Sequence, residues 1–181
     1  LVLTQPLFRY NAWVNFWQSD FQLAQAQAQL EAAYQNLAIR VARAYFDVLY
    51  QEDVMEFNTV LLKSLESQEK QVSEKLDQGY STIIDLDETR SRRDKTTADL
   101  MLAEQRLNDA RESLREIIGQ YETDLLRAPD ALPLGKPQPE GIERWSELAQ
   151  VGNLQVLAAS SSAEIAKQNI EVQFSGHLPT L

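Results

Sequence analysis

Residues 30–82 read LEAAYQNLAIRVARAYFDVLYQEDVMEFNTVLLKSLESQEKQVSEKLDQGYST, and two features of this stretch decide the fold. The first is a heptad. Leu30, Leu37, Ala44, Gln51, Asn58, Leu65 and Val72 recur seven apart, with Tyr34, Val41, Val48, Met55, Leu62, Glu69 and Leu76 between them, so 11 of 14 seam positions are apolar. The second is the break at Gln78-Gly79-Tyr80-Ser81-Thr82. Glycine can take the left-handed conformation that closes a helix, and Ser81 or Thr82 can cap the next one, so this is the tip of a helical hairpin.

Working upstream, the chain contains neither Pro nor Gly from Asn11 to Gln78 and is rich in Ala, Gln, Leu and Glu, all good helix formers. Such a run spans about 100 Å at 1.5 Å per residue. A globule of this chain length has a diameter of roughly 40 Å, so an elongated molecule is expected. A second apolar stripe through Ala42, Phe46, Leu49, Phe57 and Val60 calls for a further neighbour beside the hairpin partner.

Working downstream, a returning helix is expected from about Thr82 to Leu126. Its seam is Leu86, Thr89, Arg93, Thr96, Leu100, Ala103, Leu107, Ala110, Leu114, Ile117 and Tyr121. Pro129, Pro133, Pro137 and Pro139 then break the chain into an elbow, in which Ile142, Trp145, Leu148 and Ala149 mark an amphipathic segment from Glu140 to Gln150. A last helix is expected from Leu154 to Phe174, with Leu154, Ala158, Ser161, Ile165, Gln168 and Val172 on one seam. The two returning helices together match the descending one in length and can stack end to end beside it. Residues 1–5 and Pro179-Thr180-Leu181 read as extended, both at the same end of the rod.

Composition removes most chemistry. The 181 residues carry 17 basic and 27 acidic groups, net −10, which argues against a nucleic-acid partner. No cysteine and a single histidine, His177, leave no thiol nucleophile, no cysteine-rich zinc site and no multi-histidine cluster, so neither a metal nor a cofactor is expected. His177 sits beside Gly176 and Pro179 without a nucleophile signature, and no catalytic residue is assigned. The longest uninterrupted apolar runs are four residues, Leu100–Ala103 and Val156–Ala159, far short of a membrane-spanning helix. The chain opens without Met and stops at Leu178-Pro179-Thr180-Leu181, and it reads as a piece of a longer protein.

Five short motifs in order carry a resemblance: Thr4-Gln5-Pro6-Leu7-Phe8, Ala42-Arg43-Ala44-Tyr45-Phe46, Gly79 with Asp85, Lys136-Pro137-Gln138-Pro139, and Gly176-His177-Leu178-Pro179-Thr180-Leu181. Together they resemble the first structural repeat of the TolC family of outer-membrane efflux and type I secretion channels. The resemblance implies an all-α fold: a long antiparallel coiled-coil hairpin, a stacked returning helix pair, a Pro-rich equatorial elbow, and strand stubs of an outer-membrane β-barrel at both ends. Its parts would be 1–10 as strand end and lead-in and 11–126 as the hairpin with its tip near 79–82. Then would come 127–153 as the elbow, 154–175 as the upper returning helix, and 176–181 as the start of the next strand.

The function it implies is passive conduction of drugs or secreted polypeptides. The homotrimeric channel would stand in the outer membrane of a Gram-negative bacterium, with this segment in the periplasm. A periplasmic adaptor (membrane fusion) protein would join it to an inner-membrane transporter. The adaptor-binding tip would be Gly79, Tyr80, Ser81, Thr82, Ile83 and Ile84, and Asp85 would match the acidic residue that ties neighbouring hairpins closed at the aperture. Ile84 stands where the best-known member carries a hydroxyl.

Two other classes stay open on the sequence: a coiled-coil scaffold, and the adaptor hairpin itself. A scaffold has no use for four prolines that interrupt a returning helix before it resumes, and an adaptor hairpin should be flanked by β-rich halves. Three further clusters have a bland and a functional reading. Between Lys63 and Lys95, 15 of 33 residues are charged, either as a solvated face with pairs such as Glu66 and Lys70, or with Arg90, Arg92 and Arg93 reaching a neighbouring protomer. Trp13, Phe16, Trp17 and Phe21 suit a core anchor or a membrane interface. Asp47, Glu52, Asp53 and Glu56 suit an exposed face or a lumen lining.

Overall fold

The run without helix breakers forms one uninterrupted helix, α1 (Tyr10–Asp77, 68 residues). It is followed by α2 (Ile83–Ile118), α3 (Ile142–Gly152) and α4 (Leu154–Ser175). These elements belong to a computed structural model that describes residues 8–121, 125–127, 129 and 135–178. Among the described residues there is no strand, and the fold is all-α with a long helical hairpin. The strand stubs expected at residues 1–5 and 179–181 lie outside the described residues. No described helix is long and apolar enough to cross a membrane. The chain divides into two compact units, Ala38–Leu132 and Leu1–Leu37 with Pro133–Leu181.

In the unit Ala38–Leu132, α1 and α2 run antiparallel. Glu69 meets Arg90 and Arg93, whereas Glu52, earlier on α1, meets Arg111, later on α2. The buried residues of α2 are Leu86, Thr89, Thr96, Ala103, Leu107, Ala110 and Leu114, all on the expected 3,4 series. Val48 of α1 packs with Leu107, Ala110 and Leu114, and Ala44, Met55, Ile118 and Leu125 close around them. The alanines let the two backbones approach, and each buried leucine of this kind stabilises the pair by about 1.5–3 kcal/mol. Within this unit the heptad holds, since every seam position from Val41 to Leu76 is at least partly covered.

The returning helix is shorter than expected. It stops at Ile118 instead of Leu126, because Gly119 adopts φ 80° and its N–H donates to the Arg115 carbonyl at 2.7 Å, which closes the helix. The chain beyond is held by side chains. The Tyr45 hydroxyl donates to the Leu126 carbonyl, and Arg127 Nη2 donates to Glu56 Oε2 at 2.6 Å.

In the other unit the seam on α1 differs from the expected one. Leu30, Tyr34 and Leu37 are 54%, 60% and 42% exposed, while Val14, Gln18 and Ala28 are buried and Phe21, Gln25 and Ala32 are half-buried. The 4,3 series therefore ends here on two alanines, Ala28 and Ala32, which allow a closer helix approach than Leu and Tyr. Antiparallel to the start of α1 lies α4. Its covered residues include Leu154, Ala158, Ser161, Ile165, Gln168 and Val172, the expected seam. Gln18 links the two: its Nε2 donates to Asn169 Oδ1 at 2.8 Å and to the Ile165 carbonyl at 3.1 Å.

Asn153 separates α3 from α4 and serves both. Its backbone N–H donates to the Ala149 carbonyl at 3.0 Å, and its Oδ1 accepts from the N–H groups of Gln155 and Val156 at 2.8 and 3.3 Å. The elbow ahead of α3 carries a cis Gln138–Pro139 bond, and Gly141 at φ 96° precedes the first residue of α3. The apolar face of α3, Ile142, Trp145, Leu148 and Val151, is exposed.

Candidate docking tip and aperture residue

The seven residues singled out at the tip are contiguous: Gly79 to Thr82 form the turn between α1 and α2, Ile83 to Asp85 open α2, and each side of the turn is closed by its own cap. On the α1 side, the Gly79 N–H donates to the Leu76 carbonyl at 2.9 Å and the Tyr80 N–H to the Lys75 carbonyl at 2.8 Å. That double closure satisfies two carbonyls the helix would otherwise leave orphaned, and it requires the left-handed backbone that Gly79 supplies at φ 80°. A β-carbon at Gly79 would meet no atom within 4 Å. Glycine is therefore needed here for its conformation and not for lack of room.

On the α2 side, Thr82 takes an extended conformation and forms a reciprocal capping box with Asp85. The Asp85 N–H donates to Thr82 Oγ1 at 3.2 Å, and the Thr82 N–H donates back to Asp85 Oδ2 at 2.9 Å. The hydroxyls of Thr82 and Ser81 also donate to Asp85 Oδ2, at 2.7 and 3.1 Å. These bonds hold the Asp85 carboxyl below its usual pKa: the Thr82 hydroxyl contributes most, then the Thr82 N–H, then Ser81. Asp85 is therefore ionised at neutral pH. One turn on, the Thr89 hydroxyl donates to the Asp85 carbonyl at 2.8 Å.

With both helix ends capped, the apolar side chains of the turn and of the start of α2 stand outward. Tyr80 is 82% exposed, Ile84 74% and Ile83 56%. Three large apolar groups within five residues of a polar turn form a small patch suited to a partner.

The other clusters resolve differently. Arg90 and Arg93 both pair with Glu69 across the hairpin at 3.0 and 2.7 Å, and Arg92 pairs with Glu88 on its own helix, so all three have acidic partners within the chain. Glu66 and Lys70 do not form an ion pair among the described residues. Glu69, an exception within the apolar seam, is the acceptor that joins α1 to α2 near the tip. Trp13, Phe16 and Trp17 are exposed and anchor no core among the described residues; Val14 and Gln18 beside them are the buried residues. In the acidic stretch, Glu52 pairs with Arg111 at 2.8 Å and braces the hairpin, while Glu56 pairs with Arg127 at 2.6 Å and holds the chain beyond α2 against α1. Of the second apolar stripe only Leu49 is buried, while Phe46, Phe57 and Val60 are exposed. The His177 N–H donates to the Phe174 carbonyl at 3.0 Å in the turn that follows α4.

Two arrangements were not visible in the sequence. At the end of α2, Arg115 Nε lies 2.9 Å from both carboxylate oxygens of Glu112, the Tyr121 hydroxyl donates to Glu112 Oε2 at 2.8 Å, and the guanidinium stacks on the Tyr121 ring at 5.2 Å. Arg115, and then Tyr121, pull the Glu112 pKa down to about 2. At the elbow, Lys136, Pro137, Pro139, Ile142 and Trp145 line an open groove of about 740 Å³. No group of acidic or histidine side chains among the described residues is arranged to hold a metal ion.

The sequence of this chain has counterparts among known proteins. The outer membrane efflux protein profile matches residues 1–120. Outer membrane protein TolC of Vibrio cholerae serotype O1 is 35% identical over 178 residues, which cover 98% of this chain and 41% of the relative. Outer membrane protein TolC of Escherichia coli K12 is 29% identical over 182 residues, covering 100% of this chain and 36% of the relative. The proteases secretion protein PrtF of Dickeya chrysanthemi is 26% identical over 184 residues, covering 100% of this chain and 40% of the relative. The chain thus spans less than half the length of each of these relatives. The chain belongs to the outer membrane efflux protein family.

Proposed function

We propose that this chain is the periplasmic helical part of an outer-membrane channel that passively conducts drugs or secreted polypeptides. Three protomers would form the conduit, and a periplasmic adaptor would connect it to an inner-membrane transporter. In this reading Gly79 to Ile84 meet the adaptor and Asp85 acts at the aperture. The outer-membrane setting is supported by the family and by the names of the relatives.

The observation that carries the docking assignment is the exposure of Tyr80, Ile83 and Ile84 on a turn whose backbone is already closed on both sides. Such a patch contributes nothing to the hairpin's own packing, so its apolar surface is available to a partner. The exposed stripe of Phe46, Phe57 and Val60 fits the same account, because the conduit supplies helices that a single chain lacks.

The test is Gly79→Trp in the complete channel protein. A β-carbon at Gly79 meets nothing within 4 Å and the left-handed backbone costs only about 1–2 kcal/mol, so the hairpin should still fold and the protein should still trimerise and insert. Export should be lost. Normal export with unchanged adaptor cross-linking would put the docking site elsewhere.

A further inference from the structure

We propose that Asp85 is a positioning residue of the tip: its Oδ2 closes the turn that holds Tyr80, Ile83 and Ile84 outward, a role that rests on reading the tip as the docking end. Three donors from two residues converge on that single oxygen, namely the Ser81 hydroxyl, the Thr82 hydroxyl and the Thr82 N–H. Thr82 answers by accepting the Asp85 N–H, so removing the Asp85 side chain frees all three donors, and removing the Thr82 side chain frees the Asp85 N–H and takes away one of the three. The Thr82 N–H precedes α2 and has no helical carbonyl to donate to, and without Asp85 it would turn to water.

The consequence is that shape and charge at this position are separable. All three hydrogen bonds fall on Oδ2, and Oδ1 accepts none among the described residues. A cation on a neighbouring hairpin can therefore meet Oδ1 while Oδ2 keeps the turn closed. An asparagine at this position keeps an acceptor oxygen for the turn and loses the charge. An alanine loses both.

The experiment has two arms. In the first, amide exchange is followed by NMR at Thr82 and Asp85 in this chain, in the parent and in Asp85→Ala, Asp85→Asn and Thr82→Ala. Loss of a capping interaction should speed exchange about fivefold in Asp85→Ala and Thr82→Ala. Asp85→Asn should stay within about twofold of the parent, because an amide oxygen serves at this capping position. In the second arm, a reporter thiol, Gln78→Cys, is placed in the complete channel, with any cysteine outside this cysteine-free chain replaced by serine. It is cross-linked to a purified adaptor of a TolC-type pump. Cross-linking should fall severalfold with Asp85→Ala and Thr82→Ala and be restored with Asp85→Asn. Unchanged exchange in Asp85→Ala would overturn the lock. Faster exchange with undiminished cross-linking would overturn its positioning role. Absence of cross-linking in the parent reporter protein would instead overturn the docking reading on which that role rests.

Discussion

Replacing Gly79 by alanine and by tryptophan separates the backbone demand of the tip from the docking role proposed for it. Gly79 sits at φ 80°, and a β-carbon there has nothing within 4 Å, so neither substitution clashes at the β-carbon. The cost is conformational. A non-glycine residue in the left-handed region loses about 1–2 kcal/mol, and stiffening of the unfolded chain returns about 0.4–1 kcal/mol, leaving a net loss of about 1 kcal/mol. Because the strain is set at the β-carbon, both variants should lose the same amount to within about 0.5 kcal/mol. Urea unfolding of the chain, read by helical circular dichroism, measures it. Export by the complete channel should part them, with alanine retaining most activity and tryptophan almost none. A tryptophan variant several kcal/mol less stable than the alanine variant would refute the reasoning, since it would mean that the turn is packed and that loss of export reflects unfolding.

Other perturbations probe the rest of the molecule. Leu107→Ala, in the layer with Val48 and Leu114, should cost about 2–5 kcal/mol in urea unfolding, whereas Phe57→Ala on the exposed stripe should stay within about 0.5 kcal/mol. Gln18→Ala should cost about 0.5–1.5 kcal/mol through loss of its hydrogen bonds to Asn169 and the Ile165 carbonyl, and the Gln18→Leu, Asn169→Leu double variant should be less damaging than the sum of its single changes. Glu112 has a folded pKa of about 2, below its unfolded value, so the contribution of its clasp is complete above about pH 5 and is lost as pH falls toward 2. An NMR titration should show this, with Tyr121→Phe moving the Glu112 midpoint upward.

What could be read from the sequence was whatever depends on local periodicity. The seams of α2 and α4 follow their 3,4 spacing closely, because a helix that buries one face writes that face into its sequence. The Thr82-x-x-Asp85 spacing likewise announces a capping box. The α1 seam was legible only where large apolar residues mark it. Upstream, the series Gln25, Ala28 and Ala32 competes with Leu30, Tyr34 and Leu37, and size and hydrophobicity alone favour the wrong register. Close backbone approach rewards the alanines, and the glutamines at 18 and 25 break the apolar pattern that would have marked the covered face. The 3,4 spacing continues past Gly119 to Tyr121 and so hides the end of α2, although a glycine near the end of a helical pattern is itself a stop signal. Partners of charged groups were not legible at all: Glu69 gains Arg90 and Arg93 only because antiparallel pairing brings residues more than 20 apart together. The same holds for Gln18, whose partners stand on α4.

The central claim, that this chain forms part of an outer-membrane conduit with Asp85 at its aperture, is tested most directly by conductance. The complete protein would be reconstituted in a planar lipid bilayer and compared with its Asp85→Asn variant. The account predicts discrete channel openings for both, larger in the variant, where the turn is kept and the closing charge is gone. A bilayer that stays insulating with correctly assembled protein, or equal conductance for the two, would contradict it.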